Sequence, residues 1–138
     1  MKSSVDLSYI IEGLRPLAVP IDSVVVDPAN AMGHPDENRE AIQGSLAKYG
    51  QRKPIVVNVN GNVIEAGNGT WQAAKALGWA HIAAVFVDDD PTTATGYAIA
   101  DNRTAQLAVW DWEVLAETLD HIDDPTDVPG VEPGLLPR

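Results

Sequence analysis

Short apolar runs alternate along the chain with stretches of helical spacing. Residues 1–19 are weakly patterned, with a short helix predicted before Pro16. Ile21 to Val26 is apolar and β-branched and predicts a strand, which Asp27-Pro28-Ala29-Asn30 breaks. Gly33-His34-Pro35-Asp36 opens a helix, because proline and the acids Asp36 and Glu37 suit a first turn with free N–H groups and a positive dipole end. Ala41, Ile42, Leu46 and Tyr49 recur at helical spacing, and Gly50 stands where a C′ glycine ends a helix. Pro54 to Val59 predicts a second strand. Asn60-Gly61 predicts a tight hairpin, and Asn62 to Glu65 the returning strand.

A glycine corner follows, Ala66-Gly67-Asn68-Gly69-Thr70, and then a helix from Trp71 to Leu77 closed by Gly78. His81 to Val87 predicts another strand, ended by Asp88-Asp89-Asp90. Asp90 before Pro91 caps a helix over about Thr92 to Ala100. Asp101-Asn102-Arg103 is expected to interrupt it and to cap a further helix through Ala108. Asp111 is expected to cap a last helix, Trp112 to His121. Residues 123–138 carry Pro125, Pro129, Pro133 and Pro137 and read as a linker or tail. Single strands, one hairpin and a helical cluster predict an α+β domain: a small mixed sheet, a glycine-loop helix and C-terminal helices. It is not a doubly wound nucleotide fold. The expected organisation is an N-terminal extension over residues 1–19, the domain over 20–122, and a Pro-rich segment over 123–138, either docked or frayed.

Length and composition agree with one domain: 138 residues, 45% hydrophobic. The absence of cysteine excludes a disulfide framework, a thiolate metal site and a thiol nucleophile. Apolar runs fall far short of the ~20 residues that span a bilayer, and no long apolar stretch follows the N-terminal Met1-Lys2. The expected location is the cytoplasm. The net charge of −11 argues at first against phosphate ligands. Its distribution changes that. Residues 1–87 hold eight acids and seven bases, whereas residues 88–138 hold twelve acids and two bases. Within residues 39–75, Arg39, Lys48, Arg52, Lys53 and Lys75 face only Glu40 and Glu65. The chain has a basic centre and an acidic last third. That last third either keeps the chain soluble, repels competing anions or engages a basic partner.

The glycine corner is the sharpest candidate. Glycines permit close backbone approach and positive φ. A helix start offers unpaired N–H groups to an anion. Thr70 adds a hydroxyl, and Arg52 and Lys53 precede the strand pair. The bare motif is more often a tight turn than a phosphate site, and the GxxxxGK[ST] spacing of a P-loop is absent. Asp101-Asn102-Arg103 is either a helix junction or a group reaching the same loop through Asn102 and Arg103. His34, His81 and His121 share no metal-ligand spacing, so no metal site is expected. Asp88-Asp89-Asp90 reads as a solvated run rather than a cation site. Trp71 and Trp79 are expected at the core or the lip of the loop helix, with base stacking by Trp71 the alternative.

Three ordered blocks resemble one family. Ser45-Leu46-Ala47-Lys48-Tyr49-Gly50-Gln51-Arg52-Lys53-Pro54-Ile55-Val56-Val57 resembles the helix-to-strand segment of ParB-like N-terminal domains. Ile64-Glu65-Ala66-Gly67-Asn68-Gly69-Thr70-Trp71-Gln72-Ala73-Ala74-Lys75-Ala76-Leu77-Gly78 resembles their glycine box. Ala100-Asp101-Asn102-Arg103, with Trp110-Asp111, is similar to ParB-like proteins of phages and of DNA methyltransferase neighbourhoods. The resemblance spans about residues 20–122 and points to the ParB/sulfiredoxin superfamily.

It implies a fold whose glycine box binds nucleotide phosphates, CTP or ATP, with Mg2+ as companion. Carried over by position, the phosphate-binding residues are Gly67, Asn68, Gly69 and Thr70, with Arg52, Lys53, Asn102 and Arg103. Glu65 would be the base or metal ligand if phosphate is transferred or hydrolysed; its other reading is a solvent-facing strand residue. Gly69 and Thr70 stand where the family box carries two arginines, so some of its phosphate charge is missing. The sulfiredoxin cysteine is absent. Residues 123–138 are too few for helix-turn-helix and dimerisation regions, so a stand-alone domain in a bacterial host is expected. Those residues resemble the continuation of the methyltransferase-associated members, with Gly130, Val131, Leu135 and Leu136 as contacts if it docks.

The leading expectation is nucleotide binding in phage or mobile-element DNA metabolism. The alternatives are a non-catalytic acidic module or DNA mimic engaging a basic DNA-modifying protein, and a weak nuclease. Sequence-specific DNA reading by a monomer is not expected, because no helix carries clustered Arg or Lys.

Overall fold

The computed structural model describes residues 5–29, 33 and 36–136. His34, Pro35 and Asn30 lie outside them, so the expected helix opening before Asp36 falls there in part. The apolar runs form β2 (Ile55–Asn58), β3 (Val63–Ala66) and β4 (His81–Val87). A short strand β1 (Ala18–Pro20) joins them. The sheet order is β1-β4-β2-β3. β2 runs parallel to β4, while the β1–β4 and β2–β3 pairs are antiparallel.

The strand expected at Ile21 to Val26 is corrected. Pro20 ends β1, and Ile21–Ser23 is a 3-10 turn closed by Ser23 Oγ donating to the Pro20 carbonyl at 2.6 Å. Ile21 and Val24 are both buried. Their spacing of three matches a turn, whereas one face of a strand repeats every two. Val25 then rejoins the sheet edge: its N–H donates to the Asn62 carbonyl, and its carbonyl accepts from Ile64 N–H. The hairpin is also shifted by one residue. Its left-handed positions are Gly61 (φ 85°) and Asn62 (φ 55°), not Asn60 and Gly61.

Helix α1 (Asp36–Tyr49) ends at Gly50, as expected, with φ 74°. It packs on α2 (Asn68–Ala76), and α2 in turn lies on β2. The core between these helices and the sheet holds Leu46, Ile55, Val57, Ile64, Ala73, Ala74, Ile82 and Ala84. Alternation along β2 and β4 puts Ile55, Val57, Ile82 and Ala84 on this face, and each fully buried isoleucine or valine contributes roughly 1.5–3 kcal/mol. Trp71 and Trp79 pack against the core, and Trp71 Nε1 donates to the Ile21 carbonyl at 2.8 Å. Tyr9 and Ile10, before β1, pack on the same body. Ile10 is fully buried and bridges Gln51, and Tyr9 stacks on Trp79 with centroids 4.3 Å apart.

Helix α3 (Pro91–Leu107) is continuous, capped by Asp90, whose carboxylate accepts from Thr93 N–H. The break expected at Asp101-Asn102-Arg103 is absent. Asp and Asn are weak helix formers, costing only about 0.7 kcal/mol each against Ala, and do not stop a helix. The helix ends where Ala108 turns extended (ψ 139°). Helix α4 (Trp112–Leu119) is capped by Asp111, as expected. Past a 3-10 turn at Pro125–Asp127, the chain returns to α1. Lys48 Nζ donates to the Asp127 carbonyl at 2.8 Å, Pro129 lies against Gly44, and Gly130 lies over Ala41. Val131, Leu135 and Leu136 meet Ala116 and Leu119 of α4 around one cavity. Among the described residues no helix is long and apolar enough to cross a membrane.

Candidate functional site

The glycine corner is built by close packing. Gly67 is left-handed (φ 104°) and precedes the first residue of α2. A Cβ on it would lie 2.4 Å from Ile55 Cγ2, so only glycine lets the corner sit this tightly on β2. Asn68 is buried, and its Oδ1 accepts from Asp27 N–H at 3.0 Å. That bond ties the corner to the loop after Val25. Gly69 and Thr70 are half-buried in the first turn, where backbone N–H groups have no intrahelical acceptor.

Thr70 opens on a cavity of about 420 Å³. Its other walls are Ser45, Leu46 and Tyr49 of α1 and the connection Gly50-Gln51-Arg52-Lys53. This size lies within the roughly 300–1,000 Å³ usual for small-molecule sites. Gln51 holds the connection in place. It is 1% exposed, donates from Nε2 to the carbonyls of Lys53 and Ala83, and accepts at Oε1 from Ala83 N–H. Arg52 and Lys53 are exposed beyond it. Arg52 donates to the Tyr49 carbonyl and lies 5.2 Å above the Tyr49 ring. Three expected residues, Arg52, Lys53 and Thr70, therefore share one cavity. Lys75 points elsewhere, paired with Asp22 and above the Trp71 ring. Asn102 and Arg103 lie on α3 and do not line this cavity.

Glu65 faces a second cavity of about 470 Å³ between β3 and the start of α3. Its walls include Asp27, Asn58, Asn60, Asp89, Asp90, Pro91 and Ala94. The solvent-facing reading of Glu65 is corrected: the residue is 5% exposed, and neither carboxylate oxygen has a hydrogen-bond partner. Burial first, and then the neighbouring Asp89 carboxylate, push its carboxyl up to about 7. Nearby Tyr97 is also raised, by burial first and then by Asp101 and Glu65. The run Asp88-Asp89-Asp90 is a built corner. Asn58 Nδ2 donates to the Asp89 carbonyl, Asn60 Nδ2 donates to Asp88 Oδ1, and Asp90 caps α3. No group of three His, Asp or Glu side chains is placed to hold a metal among the described residues.

Gln51 and Asn58 are buried polar residues that no site motif in the sequence marks. Their signal is a polar residue bordering or within a β-rich run; each is buried with its amide bonded to backbone, Gln51 to Lys53 and Ala83 and Asn58 to Asp89.

No protein-family model matches the chain, and no curated protein does. Solved structures do. The C-terminally truncated chromosome-partitioning protein ParB from Caulobacter crescentus, complexed with CTP-gamma-S, is 19% identical, with a TM-score of 0.69 over 83% of this chain and 71% of that one. The same truncated protein complexed to the centromeric parS site is 20% identical, with a TM-score of 0.54 over 83% of this chain and 65% of that one. A Pnob8-like ParB-N domain is 21% identical, with a TM-score of 0.55 over 76% of this chain and 44% of that one. The chain thus has the mixed α+β fold of ParB N-terminal domains.

Proposed function

We propose that this chain binds the phosphates of a nucleoside triphosphate, CTP or ATP, over the Gly67–Thr70 corner. The observation that carries the reading is the cavity that joins Thr70 to Arg52 and Lys53. A helix start and two exposed bases are complementary to a triphosphate. The C. crescentus neighbour of the same fold is complexed with CTP-gamma-S. Gly67 and Asn68 shape the corner, Gly69 and Thr70 face the phosphates, Arg52 swings from Tyr49 onto them, and Lys53 reaches them from the same connection. Asn102 and Arg103 would join only by movement of α3. Mg2+ would arrive on the phosphates, as it commonly does. The proposal is for binding, because Glu65 lines the other cavity. The resemblance of Ala100 to Arg103 extends it to phage or methyltransferase-associated DNA metabolism.

The test is calorimetric titration with CTP, ATP and GTP, each with Mg2+. Binding of at least one, weakened tenfold or more in Lys53→Ala, is the expected result. No heat and no thermal stabilisation with any of the three at millimolar concentration would overturn the reading.

A second reading, engagement of a basic protein, is favoured by the α3–α4 junction. Leu107, Val109, Trp110 and Trp112 are exposed there beside Asp111 and Glu113, with Val109 91% exposed. Apolar surface ringed by acids suits a partner of opposite charge. Pull-down at low and high salt tests it: a partner lost only at high salt supports it, and none at either salt argues against it.

A further inference from the structure

The cavity under α3 is independent of the proposed phosphate site and has the opposite character. Four acids line it, Asp27, Glu65, Asp89 and Asp90, and among the described residues no basic side chain does. Asp90 is engaged as the α3 cap, and Asn58 and Asn60 brace the Asp89 backbone. Glu65 is engaged with no donor: both its oxygens are enclosed and unpartnered. A buried carboxylate without a partner is costly, and a native protein usually satisfies it. A proton shared with Asp89 is one way; a bound cation is another.

We propose that this cavity binds a guanidinium group, with Glu65 and Asp89 as its carboxylate partners. Three observations choose guanidinium over a metal ion. Among the described residues no three His, Asp or Glu side chains are placed to hold a metal ion. The volume, about 470 Å³, far exceeds what one ion fills. Val63, Ile64, Pro91 and Ala94 supply apolar wall for an alkyl stem. Guanidinium is preferred over ammonium because its planar fork meets two carboxylates at once and is more weakly hydrated. The Glu65 side chain carries no hydrogen bond that would hold it back from turning toward the ligand. The charged or titratable groups around it are Asp27 from the loop after Val25, Asp89 and Asp90 from the β4–α3 corner, and Tyr97 and Asp101 from α3.

N-acetyl-L-arginine amide carries this group as its only charge and is the probe. Its titration is followed at pH 7.5 by calorimetry, and by carboxyl NMR of Glu65. The expected result is binding at millimolar concentration or tighter, with the Glu65 titration moved down by a unit or more. Glu65→Gln should weaken binding at least tenfold, and Glu12→Gln, at an exposed residue before β1, should not change it. N-acetyl-L-lysine amide should bind at least fivefold more weakly. A tripeptide Gly-Arg-Gly that binds more tightly than free arginine would identify a protein side chain as the source, and the reverse would identify a small molecule. No binding at 50 mM, equal binding by the lysine probe, an unchanged affinity in Glu65→Gln, or Mg2+ shifting Glu65 where arginine does not would each overturn the proposal. Failure of nucleotide titrations leaves these outcomes untouched.

Discussion

Gly67 rests directly on Ile55: a Cβ added to the glycine would meet Ile55 Cγ2 at 2.4 Å and Cβ at 2.8 Å. The contact fixes where β3 turns into α2, and so where Thr70 stands against Lys53. Gly67→Ala must tolerate φ 104° as well as the overlap. Left-handed strain costs about 1–2 kcal/mol and overpacking about 1–3 kcal/mol, so a loss of roughly 2–5 kcal/mol is expected. Denaturant unfolding checks it. Pairing the variant with Ile55→Val should not recover the loss, because valine keeps the Cβ and Cγ2 that clash and gives up only Cδ1.

Gln51 spans the connection and β4 with one side chain. In Gln51→Met, of similar volume, Ala83 N–H and the Lys53 and Ala83 carbonyls lose this partner. An orphaned buried donor or acceptor costs about 1–3 kcal/mol, so a loss of about 2–4 kcal/mol is expected. Gln51→Glu should lose more, since a carboxylate would face both carbonyls. Thermal unfolding of the two variants separates the outcomes.

The elements at Ile55, Val63 and His81 were legible because β-branched runs there are bounded by glycine, proline or acids, and α1 because Gly50 stops it. What misled were residues whose local signal and tertiary use differ. Ile21 to Val26 has strand composition, yet burying Ile21 and Val24 together requires a turn. Asp101-Asn102 looks like a cap, but Asp90 had already started the helix and nothing before Ala108 ends it. At the candidate site, glycine spacing marked the corner, and the cavity with Arg52, Lys53 and Thr70 adjoins it. The depth of Glu65 was not legible. It depends on α3 lying across β3, a contact between segments far apart in sequence.

Gly69→Arg adds a cation to the first turn of α2, where the resembling family box carries one. If triphosphate lies over Gly67–Thr70, affinity for the preferred nucleotide should rise about three- to tenfold, and its salt dependence should steepen. Calorimetry at two salt concentrations measures both. An unchanged or weaker affinity in the folded variant counts against that pose.

Glu65 should make stability depend on pH. Its folded pKa of about 7 lies above its ordinary 4.5, so the folded state holds the proton more tightly than the unfolded chain. The contribution is fully present below about pH 4.5. It declines as pH rises and is lost once pH passes about 7. Glu65→Gln removes it, so the stability gap, variant minus wild type, should widen between pH 5 and 8 by on the order of 1–3 kcal/mol. Urea unfolding of both proteins at three pH values checks this. A pH-independent gap would mean that Glu65 is not held neutral.

Docking of the C-terminal segment should respond to pH in the same sense. Glu132 of that segment is raised by a hydrogen bond shared with Glu37 of α1 and then by the Glu37 charge. The docked state therefore favours the protonated form. Docking is helped below the ordinary glutamate range and loses that help as pH rises through the raised pKa. Lys48, on the same helix, opposes release by holding the Asp127 carbonyl. Glu132→Gln should slow hydrogen exchange of the Val128, Val131 and Leu135 amides at pH 7.5, since each is hydrogen-bonded only while the segment keeps its turns. Lys48→Ala should speed exchange of the same amides about three- to tenfold. Both effects should be confined to residues 125–136, and equal effects across α1 and the sheet would instead indicate loss of the whole fold.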